Sequence, residues 1–264
     1  MPTDPPRFAH SLITRDARGV YTLRIEGAKS LNILGSPVTL GLTEAVRWIA
    51  QQDDARALIL RGSGDKAFVG GADIHEMAAL EPASARAFIS RLRALCEAVR
   101  ALPVPTIARI PGYCLGGGLE LAAACDMRIG THDSVYGMPE VRVGIPSVIH
   151  ALLLPRLIGV GATNWLLLTG ETVDGRQALQ WGFLQFACAL SELDAVIEKT
   201  VAAVVASGPR AVRSQKALLR YWEQAPIQDG LDRSVQAFGE AFTTDEPRAC
   251  MAPFLARKAQ RGPA

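Results

Sequence analysis

Two glutamates stand twenty positions apart, Glu120 closing Gly116-Gly117-Gly118-Leu119-Glu120 and Glu140 closing Gly137-Met138-Pro139-Glu140. Upstream lies a second glycine loop, Ala67-Phe68-Val69-Gly70-Gly71-Ala72-Asp73. Paired carboxylates suit proton transfer, one as acid and one as base. Small residues at a strand-to-helix turn permit close approach and unusual dihedrals, so backbone N–H groups can converge on a developing negative charge. Chemistry beside a carbonyl needs both devices, and their conjunction points to acid/base catalysis next to an oxyanion site. Each feature alone is weaker: the loops can simply pack helices on a sheet, and Glu140 alone reads as a surface carboxylate. Glu120, in the first turn of its helix, is expected to be favoured as a carboxylate by the helix dipole.

Periodicity outlines the elements that must carry these groups. Residues 11–15 and 20–26 read as strands around the turn Asp16-Ala17-Arg18-Gly19. Residues 38–51 have a helical face of Leu42, Val46 and Ile49, and residues 57–60 form a short apolar strand ending in Arg61-Gly62-Ser63-Gly64. Residues 82–102 are a helix with proline in its first turn, stopped at Pro103-Val104-Pro105 and followed by a strand at 106–110. A helix is expected at 116–125 and a strand at 127–130. This alternation favours an α/β architecture. From Ser147 onward helical signals dominate, at 147–157, 161–168, 174–181, 191–206, 209–223 and 228–242, and an all-helical last third is expected. No internal sequence repeat or linker divides the chain, which reads as one domain with a helical C-terminal extension.

The 264 residues can bury a sizeable core, and 49% apolar with 20% charged residues is ordinary globular usage. A net charge of +2 without long single-sign runs gives no support for a nucleic-acid partner. The five cysteines, Cys96, Cys114, Cys125, Cys188 and Cys250, are odd in number and widely separated, and are expected as reduced structural thiols. The start, Met-Pro-Thr-Asp-Pro-Pro-Arg-Phe-Ala-His, has no basic-then-apolar leader pattern, and no uncharged apolar run reaches roughly 18 residues, so a cytoplasmic protein without a membrane partner is expected. His10, His75, His132 and His150 show no ligand spacing with the cysteines, and no metal is expected.

Segments 64–74, 112–122 and 138–146 resemble the enoyl-CoA hydratase/isomerase (crotonase) family, and the similarity extends over essentially the whole chain. Lys29-Ser30-Leu31-Asn32 resembles that family's N-terminal CoA-contacting segment. The resemblance implies a crotonase-type spiral of β-β-α units over residues 1–190, with a helical trimerisation region at 191–264. It implies that the amides of Ala72 and Gly117 hold a thioester oxygen and that Glu120 and Glu140 share a catalytic water, with Glu140 supplying the α-proton. It also implies CoA contacts at Lys29, Leu31, Lys66, Gly70, Ala72, Asp73 and Ile74, no cofactor beyond the acyl-CoA substrate, and a trimer or dimer of trimers. Family hydratases keep both acids, whereas many isomerases keep only the one matching Glu140, so hydration of a trans-2-enoyl-CoA is the expected activity.

One departure stands out. Many members have a glycine-rich stretch leading to Thr-Gln-Arg-Leu, where this chain has Pro146-Ser147-Val148-Ile149-His150-Ala151-Leu152-Leu153-Leu154-Pro155-Arg156-Leu157. Its bulk puts a short-chain substrate in question. His150 reads chiefly as a packing residue, with contact to the acyl group as the alternative. Other activities on the same fold, namely isomerase, lyase or decarboxylase, and a non-catalytic CoA-binding scaffold, are the rival readings. A dinucleotide fingerprint at Gly62-Ser63-Gly64-Asp65-Lys66-Ala67 fails because no helix start or strand-end acid follows it, and Ser63-Gly64-Asp65-Lys66 lacks the companion motifs of a Ser-x-x-Lys nucleophile.

Overall fold

A computed structural model describes residues 5–260; the chain tip at 1–4 and residues 261–264 of the expected C-terminal region lie outside the described residues. The chain forms two compact units, Met1–Val201 and Ala202–Ala264.

The first unit opens with β1 (Ser11–Arg15) and β2 (Val20–Ile25), antiparallel, with Ile13 opposite Leu23. Asp16 shapes the turn between them by accepting the N–H groups of Arg18 at 2.8 Å and Val20 at 3.0 Å. Helix α1 (Ser36–Ala50) has proline in its first turn and buries Leu42, Val46 and Ile49, as its apolar spacing requires. Then follow β3 (Ala57–Arg61), β4 (Ala67–Val69), the single-turn α2 (Ile74–Met77), α3 (Pro82–Ala101), β5 (Thr106–Ile110), β6 (Tyr113–Leu115), α4 (Gly117–Ala124), β7 (Met127–Thr131) and β8 (Val135–Gly137). Two 3₁₀ turns, Pro139–Val143 and Ile149–Leu153, lead into α5 (Leu154–Thr169), β9 (Thr172–Asp174), α6 (Gly175–Gln180), β10 (Phe186–Cys188) and α7 (Leu193–Val205).

These strands build two sheets. The larger has the order β1-β2-β3-β5-β7-β10 and the smaller β4-β6-β8-β9. Beyond the first hairpin the larger sheet is parallel, and in the smaller β4, β6 and β8 are parallel while β9 is antiparallel to β8. Each turn of the chain therefore sends one strand to the large sheet and the next to the small one, β3 then β4, β5 then β6, β7 then β8. That is the expected spiral. Its core runs through Leu23, Leu58, Leu60, Phe68, Leu95, Ile110, Leu121 and Tyr136, all at most 2% exposed.

Helix α4 lies directly against the end of β4. A Cβ added at Gly118 would fall 2.6 Å from Val69 Cβ and closer still to the Val69 carbonyl oxygen, which belongs to backbone and cannot swing aside. Gly118→Ala is therefore expected to destabilise the fold by about 1–3 kcal/mol, the usual range for overpacking. A denaturant midpoint equal to wild type's would show that this contact relaxes freely.

The structure corrects several expectations. Five three-residue strands, β4, β6, β8, β9 and β10, add to those expected, because so short an apolar run has no periodicity of its own. Two of them follow Ser147, so the last third is not all-helical. The helix expected at 147–157 is a 3₁₀ turn followed by α5, in which Pro155 sits in the first turn; α5 itself is broken at Gly159, whose φ of 79° and ψ of 159° are non-helical. Ile149–Thr169 spans 21 residues at hydropathy 1.5, long and apolar enough by those measures to cross a bilayer. Arg156 interrupts it, however, and Leu153, Leu154 and Leu166 are in the core. Of the five cysteines, four are buried and Cys250 is exposed.

The second unit contains α8 (Pro209–Trp222), α9 (Ile227–Ala241) and α10 (Glu246–Gln260). Glu246 caps α8 by accepting the N–H groups of Arg210 at 3.0 Å and Ala211 at 2.8 Å. Trp222 Nε1 donates to Gly230 O and Ser234 Oγ of α9. Helix α10 is an addition to the expected elements, and Pro253 inside it explains why the sequence reads poorly there.

Candidate active site

The three motifs leave the carboxyl ends of three adjacent parallel strands. Gly70-Gly71-Ala72 follows β4, Gly116-Gly117 follows β6, and Met138-Pro139-Glu140 follows β8. Because β6 lies between β4 and β8, pairing Cys114 with Val69 and Leu115 with Gly137, the loops must emerge side by side. Carboxyl ends of parallel strands are where open α/β sheets bind ligands.

The backbones of Ala72 and Gly117 come close to each other there. Beside Ala72, the Gly71 carbonyl accepts the Leu34 N–H at 2.9 Å and the Asp73 N–H reaches the Leu34 carbonyl at 3.2 Å, so Ala72 turns its own N–H to the opposite side. Gly117 is the first residue of α4, and its N–H is one of those that a helix start leaves without an intrahelical acceptor. A Cβ built on Gly117 would lie 4.0 Å from Ala72 N, which makes the two amides neighbours. Gly116 has φ 52° and ψ −124°, a conformation open to glycine. Any Cβ at Gly116 would also come within 2.5 Å of Glu140 Oε1, so one glycine serves both the turn and the carboxylate beside it.

Glu120 is 3% exposed, and one of its oxygens accepts the Ala151 N–H at 3.1 Å. Burial, followed by the neighbouring Glu140 charge against the opposing backbone hydrogen bonds, pushes its pKa up to about 8. This reverses the expectation from the helix dipole: α4 offers a short helix's partial charge, and desolvation of the carboxylate outweighs it. Glu140, read alone as a surface group in a loop, is half-buried in a 3₁₀ turn, and burial raises its pKa against the hydrogen bond it accepts from Ser147. Two carboxyls that feel each other's charge, and whose charged forms are both disfavoured, are suited to sharing one proton.

The residues expected to contact CoA flank β4: Lys66 precedes the strand, and Gly70, Ala72, Asp73 and Ile74 follow it. Lys29 has φ 58° and its Nζ pairs with Asp73 Oδ2 at 2.6 Å, so that lysine is engaged by a carboxylate. Asp73 also caps α2 by accepting the His75 N–H at 3.0 Å, and Lys29 holds its carboxyl below the usual range. The Gly70 N–H donates to the Leu31 carbonyl at 2.8 Å; Ile74 is 60% exposed and Lys66 is exposed. His150 is buried and faces Arg93, Glu97 and Arg100 of α3; burial, then Arg100, drives its pKa down to about 4.

Two further residues shape the site. Asn32, 1% exposed at φ 55°, donates through Nδ2 to Ala67 O at 3.0 Å and accepts the Ser63 N–H at 3.1 Å, tying the 29–34 segment to the loop before β4. A buried asparagine between apolar neighbours is its sequence signal, but the signal does not say what it binds. Ser147 donates to Glu140 Oε2 at 2.9 Å, a contact with no local signature.

Comparison with known proteins follows the same lines. Residues 15–261 match the family model described as enoyl-CoA hydratase/isomerase. The chain is 32% identical over 249 residues to a crotonyl-CoA hydratase of Syntrophomonas wolfei, covering 94% of this chain and 96% of the relative. It is 31% identical to a short-chain-enoyl-CoA hydratase of Clostridium acetobutylicum, covering 92% and 94%. Among solved structures, an enoyl-CoA hydratase from Mycobacterium smegmatis superposes with a TM-score of 0.91 at 29% identity, covering 94% of this chain and 96% of that one. One from Bacillus anthracis gives 0.89 at 29% identity, with the same coverage.

Proposed function

This chain belongs to the enoyl-CoA hydratase/isomerase family, and from that premise we infer that it is an enzyme adding water across the double bond of a trans-2-enoyl-CoA to give a 3-hydroxyacyl-CoA. The observation that carries the reading is the pairing of a buried carboxyl, Glu120, with a half-buried one, Glu140, beside the amides of Ala72 and Gly117.

In this reading the thioester oxygen accepts the N–H groups of Ala72 and Gly117. Water lies between the glutamates. As its oxygen bonds to the β-carbon, its proton passes to the carboxylate of the pair, and Glu140 gives a proton to the α-carbon on the same face, so addition is syn. The charge that gathers on the thioester oxygen is met by fixed dipoles that need no reorganisation. The pair ends with the one proton it began with, now on Glu120, and exchange between neighbours resets it. We assign the reaction no cofactor, since the amides supply charge stabilisation and the carboxyls supply proton transfer. CoA is held along Lys29, Leu31, Lys66, Gly70, Asp73 and Ile74, and the chemistry falls within fatty acid metabolism. Self-association as a trimer or dimer of trimers is supported by the exposed apolar residues Ile227, Leu231, Val235, Phe238 and Phe242 in the second unit.

The test follows the conjugated enoyl-thioester absorbance across a series of trans-2-enoyl-CoA chain lengths. Loss of absorbance is expected, and none at any length would overturn the hydratase reading. The same assay gives a pH prediction. Above about pH 8, where Glu120 titrates, the pair loses its last proton and has no acid for the α-carbon. At low pH both carboxyls are protonated and no base remains. Turnover is therefore expected to be bell-shaped with its alkaline limb near pH 8, and undiminished turnover well above that would exclude a proton shared by the pair.

A further inference from the structure

The two oxygens of Glu140 are held differently. Oε2 accepts the Ser147 hydroxyl at 2.9 Å, while Oε1 lies against the bare Cα of Gly116, where an added Cβ would be 2.5 Å away. We propose that Ser147 is a positioning residue for hydration, its hydroxyl anchoring Glu140 by Oε2 so that Oε1 is presented to the water and the α-carbon. The proposal rests on the hydratase reading and adds to it a residue that acts through Glu140.

The backbone explains how a serine seven positions downstream reaches that carboxyl. The 3₁₀ turn Pro139–Val143 ends at Gly144, whose φ of 80° reverses the chain. The Gly144 N–H returns to Val141 O at 3.3 Å and the Ile145 N–H to Glu140 O at 3.2 Å, closing a loop over the glutamate's own peptide. Pro146 disfavours a helical continuation at Ile145, and Ser147 comes back half-buried to the Glu140 side chain.

Anchoring one oxygen has two consequences. A carboxyl on a flexible side chain becomes a directed one, which matters because proton transfer to carbon demands alignment. The donated hydrogen bond also favours the ionised form, opposing the burial that raises the Glu140 pKa. The charged groups around it are Glu120, facing from α4, and Arg142 in the same turn, which is directed to Thr169 O at 3.3 Å and to Glu171. From the Ile149–Leu153 turn, His150 faces Arg93, Glu97 and Arg100 of α3.

The experiment compares Ser147→Ala and Ser147→Thr with wild type in kcat, KM, pH profile and thermal midpoint. A second arm follows the Glu140 carboxyl by ¹³C NMR in a Glu120→Gln background, where it titrates without its partner. Ser147→Ala is expected to raise the Glu140 pKa, and the acid limb of the rate profile, by roughly one unit. It should lower kcat about tenfold with KM and thermal midpoint held. Ser147→Thr, which keeps a hydroxyl, should restore all of these. An unmoved Glu140 titration, or a fall in kcat without a shift of the acid limb, overturns the proposal. If wild-type protein hydrates no enoyl thioester while Ser147→Ala still moves the titration, the hydratase reading fails and the anchoring of Glu140 stands.

Discussion

Glu140→Gln is expected to lower turnover by about two to four orders of magnitude while leaving thermal stability at or slightly above that of wild type. The amide is nearly isosteric with the carboxyl and can still accept the Ser147 hydroxyl, so the turn at Pro139–Val143 keeps its packing. It cannot give a proton to carbon. The stability sign follows from the raised pKa: a carboxyl that burial disfavours as an anion opposes folding above its unfolded-state pKa, and a neutral amide removes that opposition. Steady-state kinetics with an enoyl-CoA and a parallel thermal melt check both halves. Near wild-type turnover would remove Glu140 from the mechanism, whereas a collapsed melt would point to a structural role.

The second large effect concerns the amides proposed to hold the thioester oxygen. Gly117→Pro deletes the N–H at the first position of α4, where proline is ordinarily compatible with a helix start. Loss of one such donor is worth about 10²–10³ in turnover. Added bulk is the competing explanation, since a Cβ at Gly117 would stand 2.7 Å from Leu92 Cδ2. Gly117→Ala is the control, because it adds the same Cβ, keeps the N–H and meets only the mobile end of a leucine. Turnover near wild type in the alanine variant, with a loss of at least a hundredfold in the proline variant and an intact circular-dichroism spectrum, assigns the effect to the hydrogen bond. Equal losses in both would assign it to packing.

Much of this molecule is legible in its sequence. The hairpin around Asp16, the face of α1, the span of α3, and the proline stops at 103–105 are written in local spacing, and they stand where expected. The chemistry-bearing motifs are visible as well, although the roles proposed for Ala72, Gly117, Glu120 and Glu140 come from resemblance, since a lone glycine turn or first-turn glutamate has ordinary structural explanations. What is illegible has one common cause. The strands β4, β6 and β8 are three residues each, too short to announce themselves, yet their adjacency is what gathers the three loops. Asn32 and Ser147 look like turn residues until their partners arrive from Ala67 and Glu140.

By itself, then, the sequence determined the local elements, the positions where glycine or proline permits or ends them, and the identities of the two acids. Only the tertiary structure decided which loops meet, which oxygen of Glu140 is anchored, and that Glu120 titrates near 8 where a helix start alone favours its anion. The reason is physical. Backbone propensity and capping are set by neighbours within a turn or two, whereas desolvation and hydrogen-bond partnership depend on atoms brought together from distant parts of the chain.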